Sequence, residues 1–527
     1  MTKAKTQHRT PFVLAILDGW GRRPGKPAPD DPTRRARTPF IRELEAHYPH
    51  ALLGASGQDV GLPAGQDGNS EAGHLNLGAG RVVEQDAVYI SQSIKDGSFS
   101  KNHALLAALS HVKQYHSSLH LMGLLSNYNS GHASPDHFFA LLKLAAAHHV
   151  GPVYIHFFTD GRDSPKYDAV KFLGEVQRRL KHGEKVATLT GRFYGMDRKK
   201  FWPRTEQTYN LLTRGQGIAQ ESGETALRHA YNRGESDEYL SPTVITDAHH
   251  KPLGSIRDKD AVIFFNLRSD RARQLAKPFV QAKFERENKG SFKRWKVLKN
   301  LCFVALTDFG PDLGNILTAF PSRDIQHTLP MALAGLKQLY LAENEKYAHM
   351  TYFFNGGYDH PVAGEQRLVV PSPNVASYDR APAMAAASLT QAVERAVRHQ
   401  GFEFVGINFA NADMVGHTGN YTACLKALEV IDHCLARLGR LVVARGGTLL
   451  VTADHGNVEE TVNQKTGEID TEHSVNPVPC LLYRPEFRGR SFARRRGILG
   501  DVAPTILDLL RLPKPKEMTR PSLFHKL

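Results

Sequence analysis

The amino-acid sequence predicts an α/β protein in which two α/β domains each have a mostly parallel central sheet. Two observations predict this class. Short apolar runs alternate with helical segments along the whole chain, as expected of strands joined by helices. Aspartate and histidine follow the apolar runs near the two ends of the chain, whereas arginine follows those in the middle. The first run, Phe12–Leu17, is continuously apolar, which is typical of a strand buried on both faces.

The other predicted elements follow the same reasoning. Tyr421–Val443 carries apolar residues every three or four positions, a helical spacing, and Gly446-Gly447 follows it. A second helix is predicted over Tyr167–His182, before Gly183. Five further runs are predicted as strands: Val153–Phe158, Lys185–Leu189, Ala261–Asn266, Val405–Phe409 and Thr448–Val451.

The residues that follow the strands predict the domain organisation. Ligands of open α/β sheets bind outside the carboxyl ends of the strands. Aspartate and histidine follow strands before residue 85 and after residue 400, whereas arginine follows strands between residues 150 and 275. We therefore expect one domain that is interrupted in sequence by an inserted second domain.

Composition narrows the class of protein. The chain has 527 residues, of which 41% are hydrophobic and 23% charged, as in ordinary globular proteins. Four scattered cysteines form no CxxC pair, which argues against a disulfide scaffold or zinc ribbon and favours the cytoplasm. No apolar run has the length of a signal segment or a membrane span.

The net charge of +14 is compatible with nucleic acid, a membrane surface or an anionic substrate as partner. The basic runs Arg34-Arg35, Arg198–Lys200 and Arg494–Arg496 are short and have no aromatic residues at regular intervals. We interpret each run as solvated surface charge, and we expect neither nucleic acid nor a membrane as partner.

Carboxylates and imidazoles form the first candidate site. Asp18 ends the first strand, and Asp454-His455 follows the strand Thr448–Val451. Asp413 and His417 are four residues apart, so that they share a face on a helical turn, and His473 lies in a later loop. Each pattern alone is common in turns or on surfaces. Together at strand ends they favour a divalent ion such as manganese, zinc or cobalt.

Ser70 is a candidate nucleophile in the segment Asp67-Gly-Asn-Ser-Glu-Ala-Gly-His74. It precedes a predicted helical turn, where backbone N–H groups stabilise an anion. An N-cap serine without catalytic role is the alternative. No GxSxG motif is present, which disfavours a Ser-His-Asp hydrolase.

Arginines form the third group. Arg162 with Asp163, Arg192 with Arg198, and Arg268 with Arg271 all follow predicted strands. Arginines that converge repel one another unless an anion lies between them, and guanidinium groups bind carboxylate and phosphate in a bidentate manner. They predict a pocket for a small polyanion. Lys346 is interpreted from the pattern alone as a surface lysine.

These motifs, taken together, resemble those of the cofactor-independent phosphoglycerate mutases. The resemblance rests on the Ser70 motif Gly68–Arg81 and on segments in the family's order along nearly the whole chain. These segments are Leu17–Trp20, Asp160–Asp163, Gly191–Arg198, Phe265–Arg271, Glu343–His349, Asn411–His417, Thr452–Asn457 and His473–Pro479.

The resemblance implies a fold and its boundaries. A metal domain like that of alkaline phosphatases would comprise residues 1–84 and 318–527. An inserted substrate-binding domain would comprise residues 88–312, with hinge linkers at 85–87 and 313–317. The inserted domain is expected to close during catalysis and exclude water.

The resemblance also implies two metal sites and a reaction. Asp413, His417 and His473 would hold one manganese ion, and Asp18, Ser70, Asp454 and His455 the other. The reaction interconverts 3-phosphoglycerate and 2-phosphoglycerate through a phosphoserine on Ser70, without bisphosphoglycerate. Lys346 would stabilise the transferring phosphoryl group. The substrate would be held by His132, Arg162, Asp163, Arg192, Arg198, Arg268 and Arg271, with Asp163 also counted as catalytic. A monomer is expected.

Three positions depart from the family pattern. Asp67 stands where a methionine is usual, the loop Ser126–His132 is one residue longer, and Tyr358 replaces an arginine. Two other functions stay open at this point. One is a metal-dependent phosphatase of the same superfamily acting on another small phosphate ester. The other is a non-catalytic protein that binds anions or nucleic acid.

Overall fold

The computed structural model describes residues 10–25, 28–127, 130–463 and 467–524. Contacts divide the chain after Gln85 and after Ser322 into two compact units. Unit 1 contains the segments before and after these two points, and unit 2 is Asp86–Ser322. Each unit has its own eight-stranded sheet and its own hydrophobic core.

The strands are numbered in chain order. They are β1 (Phe12–Leu17), β2 (His50–Gly54), β3 (Leu119–Leu125), β4 (Val153–Thr159), β5 (Lys185–Gly191), β6 (Ile218–Gln220), β7 (Thr243–Ile245), β8 (Ala261–Phe264), β9 (Cys302–Thr307), β10 (Leu317–Phe320), β11 (Gln338–Glu343), β12 (Gln366–Val370), β13 (Phe404–Phe409), β14 (Thr448–Thr452), β15 (Val478–Tyr483) and β16 (Arg496–Ile498).

The α-helices are α1 (Pro32–Arg35), α2 (Pro39–His47), α3 (Ser70–Ala79), α4 (Asp86–Lys95), α5 (His103–Tyr115), α6 (Pro135–Ala147), α7 (Ala169–Arg179), α8 (Arg192–Gly195), α9 (Trp202–Arg214), α10 (Gly223–Asn232), α11 (Ser269–Val280), α12 (Phe284–Glu287), α13 (Leu329–Ala332), α14 (Ala386–His399), α15 (Asn411–Gly416), α16 (Tyr421–Val443) and α17 (Val502–Leu509).

The sheet of unit 1 has the order β12-β11-β13-β1-β14-β15-β2-β16. Its central strands β11, β13, β1 and β14 are parallel, and β15 is antiparallel to both of its neighbours. Strand β1 is fully buried because sheet neighbours and helices cover both of its faces. This explains why its sequence is continuously apolar.

The sheet of unit 2 has the order β10-β9-β8-β3-β4-β5-β7-β6. A chain of buried polar side chains crosses it. His120 on β3 lies 2.9 Å from His156 Nε2 on β4, and His156 Nδ1 lies 2.9 Å from Thr188 Oγ1 on β5. At the other end, His120 Nε2 lies 3.1 Å from Asp260 Oδ2. We call these four residues the polar column.

The α/β class with mostly parallel sheets is confirmed. Strand β1 and helix α16 have the predicted bounds. Helix α7 is shorter at both ends than the predicted Tyr167–His182. It begins at Ala169, whose N–H donates to the carboxylate of Asp237 at 2.8 Å, a partner distant in sequence. Within the described ranges no helix is long and apolar enough to cross a membrane.

Candidate functional site

Three buried aspartates lie at one edge of the sheet in unit 1. Asp18 directly follows β1, Asp454 follows β14, and Asp413 lies in α15, which begins just after β13. Strands β13, β1 and β14 are parallel neighbours, so their carboxyl ends meet. The three side chains are at most 2% exposed. Such a concentration of buried carboxylates is costly without positive partners.

Two histidines face Asp413. His417 Nε2 and His473 Nε2 each lie 3.3 Å from Asp413 Oδ1 and 3.2 Å from each other. Their Nδ1–H groups donate to the carbonyl oxygens of Thr471 and Gly68 at 2.7 and 2.8 Å. Backbone carbonyls at Nδ1 fix the tautomer and leave Nε2 as the ligand atom, as in protein metal sites. The three side chains therefore fit a divalent ion.

A second group surrounds Asp18. Its Oδ1 lies 3.2 Å from Ser70 Oγ and 3.6 Å from His455 Nε2, and Ser70 Oγ lies 2.9 Å from the same His455 nitrogen. Asp454 Oδ2 is 3.5 Å from His455 Nε2. It is buried and makes no hydrogen bond within the described part of the chain. A buried carboxylate oxygen of this kind, beside imidazole and hydroxyl groups, fits a second cation.

Ser70 is the first residue of α3, and Asn69 is its N-cap, with Oδ1 accepting the Ala72 N–H at 2.9 Å. The N-cap interpretation of Ser70 is therefore wrong. Lys346 is 4% exposed, so its interpretation as a surface lysine is also wrong. Its Nζ lies 2.7 Å from Ser70 Oγ and 2.6 Å from oxygens of both Asp18 and Asp413.

The electrostatics of this cluster are those of a strongly anionic site. Burial by itself lowers the pKa of Lys346, but Asp18 and Asp413 outweigh it and hold the pKa above its usual range. Burial raises the pKa of Asp18, yet Lys346 and His455 bring it well below its usual range. Burial lowers the pKa of His455, but Asp454 in particular raises it to about 9. The cluster thus favours added positive charge.

Sequence reasoning missed His74 and Asn408. His74 Nδ1 lies 3.1 Å from Asp454 Oδ2 and 2.9 Å from the Ser70 carbonyl oxygen. Asn408 Nδ2 donates to Asp18 Oδ2 at 2.7 Å and lies 3.0 Å from His74 Nε2. Signals were present in the sequence. His74 is four residues after Ser70, one helical turn away, and Asn408 is a polar residue inside an apolar strand.

The predicted substrate residues lie together in unit 2. Arg192 is 2% exposed, and its Nη1 lies 2.5 Å from Asp160 and 3.0 Å from Asp163. Ser130 Oγ donates to Asp163 Oδ2 at 2.8 Å. Burial raises the pKa of Asp163, but Arg192 and Ser130 bring it below its usual value. Asp163 is therefore held as a carboxylate within this network.

The other arginines predicted to bind substrate are more accessible than Arg192. Arg198 and Arg268 share Asp270, at 2.9 and 3.3 Å. The pKa of Arg271 is lowered to about 10 by burial and by the positive charges of Arg192, Arg198 and Arg162. The positive charges of these guanidinium groups thus act on one another. An anion between them would relieve their repulsion.

His132 and Arg162 complete this group. Burial, together with Arg192 and Arg268, lowers the pKa of His132 to about 3, so its imidazole is neutral. The Arg162 side chain is 57% exposed, with Glu238 at 3.8 Å.

Of the three departures from the family pattern, the long loop Ser126–His132 contains residues 128 and 129, which lie outside the described residues. The carboxyl group of Asp67 has a pKa raised to about 6 by partial desolvation and by Asp470, Glu460 and Glu472. The backbone of Tyr358 exchanges hydrogen bonds with the amide of Asn355.

The fold and the ligand groups of unit 1 define the class of protein, a metal-binding α/β enzyme. The family model of the Metalloenzyme superfamily matches residues 10–514, and the chain belongs to this superfamily. Superfamily membership and the ligand groups of unit 1 together indicate that the protein binds divalent metal.

Full-length relatives define the family more narrowly. A 2,3-bisphosphoglycerate-independent phosphoglycerate mutase of Methanosarcina acetivorans is 45% identical over 99% of both chains. That of Clostridioides difficile is 44% identical over 98% of this chain and 100% of its own. A phosphoglycerate mutase structure of Leishmania mexicana, at low cobalt concentration, has a TM-score of 0.77 at 28% identity over 99% of both chains. The chain belongs to the family of 2,3-bisphosphoglycerate-independent phosphoglycerate mutases.

Proposed function

We propose that this chain is an isomerase that interconverts 3-phosphoglycerate and 2-phosphoglycerate through a phosphoserine on Ser70, without bisphosphoglycerate. One observation carries the proposal. The Ser70 hydroxyl lies at the N-terminus of α3, 2.7 Å from Lys346 Nζ and 2.9 Å from His455 Nε2. A serine hydroxyl is a weak nucleophile unless a charged environment favours its alkoxide. The names of the relatives support the same reaction.

Two divalent ions complete the proposed centre. Asp413, His417 and His473 would hold one, and Asp18, Ser70, Asp454 and His455 the other. We propose manganese, for which cobalt or zinc would substitute, because mixed carboxylate and imidazole ligands suit these ions. When bound, the ions supply positive charge that lowers the pKa of the Ser70 hydroxyl and neutralises the phosphoryl oxygens.

The side chains of unit 1 carry out the transfer. Ser70 Oγ forms a bond to phosphorus while the bond from phosphorus to the glycerate oxygen breaks, and the reverse step returns the group to the neighbouring carbon. Lys346 donates a hydrogen bond to the moving phosphoryl group, and the first N–H groups of α3 add to this stabilisation. Positioning and charge neutralisation of this kind account for most of phosphoryl-transfer catalysis.

The side chains of unit 2 hold the glycerate. Its carboxylate and phosphate groups would be bound by His132, Arg162, Arg192, Arg198, Arg268 and Arg271, which supply charged and neutral donors. Asp163 is a carboxylate held by Arg192 and Ser130. As a carboxylate it would take the proton of the glycerate hydroxyl that later receives the phosphoryl group, and it would pass that proton to the oxygen that the phosphoryl group has left.

The proposal extends to the organisation of the protein. We propose that unit 1 is the metal-binding domain and unit 2 the substrate-binding domain. The boundaries predicted from the sequence were 1–84 with 318–527, 88–312, and hinge linkers at 85–87 and 313–317. They differ from the two units by a few residues, because Leu317–Phe320 pairs with β9 in the sheet of unit 2 and Asp86 begins α4. We further propose a cytoplasmic monomer that requires neither nucleic acid nor a membrane. A single eluted species of 58.5 kDa in light scattering would support the monomer.

The decisive experiment compares Ser70→Ala with Ser56→Ala. The enzyme is supplied with 3-phosphoglycerate and manganese, bisphosphoglycerate is omitted, and 2-phosphoglycerate and free phosphate are followed together. Ser56 makes an exposed hydrogen bond to the Val475 carbonyl and serves as the matched serine control. We expect Ser70→Ala to form no 2-phosphoglycerate and no acid-stable phosphoserine, while Ser56→Ala behaves as wild type.

Two results would contradict the proposal. Substantial mutase activity of Ser70→Ala would remove Ser70 as the nucleophile. Release of phosphate without 2-phosphoglycerate by the wild type would instead make the chain a metal-dependent phosphatase acting on a small phosphate ester.

A further inference from the structure

A cleft at the edge of the sheet in unit 1 brings together arginines that the proposed reaction does not use. Its volume is 480 Å³, and its lining includes Arg494, Arg496 and Arg520, which come from two separate segments. Clefts of about 300–1,000 Å³ are the usual size of small-molecule sites. Two of these arginines belong to the basic run Arg494–Arg496, interpreted above as solvated surface charge.

Strand geometry separates the members of this run. Arg496 begins β16, which pairs with β2, and the Arg495 carbonyl oxygen accepts the Leu52 N–H at 3.0 Å. Alternate residues of an extended chain point to the same side. Arg494 and Arg496 accordingly both line the cleft, whereas Arg495 is not part of its lining. Arginines that only protected the sheet edge from pairing with another strand would not need to lie on the same side of the chain.

The buried carboxylate of Asp501 neutralises one of the three arginines. Asp501 is fully buried, and it accepts hydrogen bonds from Arg520 Nε at 2.7 Å and from the Ile498 N–H at 3.0 Å. Arg494 Nη1 stays 3.7 Å from Asp501 and makes no hydrogen bond to any residue that the structure describes. Asp501 thus forms ion pairs with both Arg520 and Arg494, and its single negative charge leaves two of the three positive charges unbalanced.

The remaining lining shows what kind of molecule would fit. Leu52, Ile498, Pro24 and Pro477 supply apolar surface. Asp59, on the same lining, offers an acceptor for a hydroxyl or amino group. Together with Asp501 it still leaves the three arginines with a net positive charge. Guanidinium groups at one end favour the several oxygens of a phosphate group, which they bind with paired N–H donors.

We propose that this cleft is a second anion site, separate from the serine and metal cluster, which binds a small phosphate monoester through Arg494 and Arg496. The phosphate group contacts the two guanidinium groups, and the organic part of the ligand lies against Leu52 and Ile498. The site does not depend on the proposed mutase reaction, since none of its residues belongs to that machinery.

The test uses phenylphosphonate, a stable probe with a phosphate-like head and an apolar body. Its binding to the metal-loaded full chain is measured by isothermal titration calorimetry at fixed ionic strength. Arg494→Ala, Arg496→Ala and Arg495→Ala each remove one charge from the same run. Because a hydrogen bond to a charged group is worth a factor of about ten or more, the first two variants should weaken one class of site about tenfold. Arg495→Ala should change it less than about twofold.

The arginine cluster of unit 2 is also proposed to bind an anion, so a second control is needed. Arg271→Ala should leave the cleft's affinity unchanged while altering the other class of site, whereas Arg496→Ala should weaken the cleft site about tenfold and leave the other class unchanged. Arg496→Glu, on the exposed strand edge, repeats the test should Arg494→Ala fail to fold. Equal weakening by all three alanine variants, or a single class of site in the wild type that only Arg271→Ala alters, would overturn the proposal.

Discussion

Replacement of Lys346 by methionine tests the electrostatic core of the proposed mechanism. Lys346 Nζ is buried and lies 2.7 Å from the Ser70 hydroxyl oxygen. Methionine keeps the length of the side chain but removes the charge and the donors. We expect kcat of the metal-loaded enzyme to fall by about 10²–10³-fold, the usual cost of removing one preorganised donor to a transition-state oxygen.

The distances set the scale of this effect. Two unit charges about 4 Å apart interact by about 4 kcal/mol at an effective dielectric constant of about 20. A 10³-fold loss in rate corresponds to about 4 kcal/mol. The upper end of the expected loss therefore equals nearly the whole interaction between the lysine charge and one charge on the phosphoryl group. Metal ions share the neutralisation of the phosphoryl group, which favours the lower part of the range.

The assay follows 2-phosphoglycerate formation under saturating metal and substrate, and metal content is measured on the same samples. Lys337→Met is the matched control, because Lys337 is exposed and its Nζ contacts only groups remote from the cluster, the Gln400 carbonyl oxygen at 2.7 Å and the Phe402 ring. The variant of Lys346 should retain its metal, since a competing positive charge beside Asp18 and Asp413 has been removed. A kcat within about threefold of wild type in metal-replete Lys346→Met would refute the assigned role.

Three further predictions concern the metal, pH and local stability. Exhaustive chelation of the metal should abolish activity. Adding a divalent ion at 100 times its Kd should restore activity and add about 2.7 kcal/mol to the unfolding free energy. Unchanged activity and melting temperature after metal removal would contradict this. Burial lowers the pKa of His137 to about 4, so between about pH 6.5 and pH 4 the unfolded state binds this proton and the folded state does not. As the pH falls across this range, the wild type should lose about 3 kcal/mol of unfolding free energy that His137→Gln retains. Parallel pH profiles of the two proteins would contradict this prediction. Gly174→Ala, inside α7 with only an Arg178 side-chain atom near the new Cβ, at 3.9 Å, should stabilise the chain by about 0.5–1 kcal/mol in denaturant unfolding; a lower midpoint would show that the position is constrained.

Local sequence patterns were sufficient to predict the bounds of elements whose apolar pattern is regular from end to end. Strand β1 and helix α16 could be delimited from sequence because each has an unbroken apolar pattern with a clear end. The start of α7 could not, since it depends on Asp237, a residue on another segment.

The candidate site also contains residues that the sequence predicted and residues that it did not. Asp18, Asp413 and Asp454 were found because they follow predicted strands. The burial of Lys346 was not predictable from its own segment, because two aspartates remote in sequence create its environment. Its proposed role came from resemblance to a family. His74 and Asn408 were missed because each contacts the cluster only through the folded arrangement.

The polar column of unit 2 has a consequence for how this sheet varies among relatives. Asp260 accepts backbone N–H groups of Ser118 and Arg257 at 2.9 and 2.7 Å, so every column hydrogen bond runs in one direction, from Thr188 towards Asp260. Loss of any member leaves a buried donor or acceptor unpaired, at a cost of about 1–3 kcal/mol. We therefore expect the four positions to be inherited as one unit.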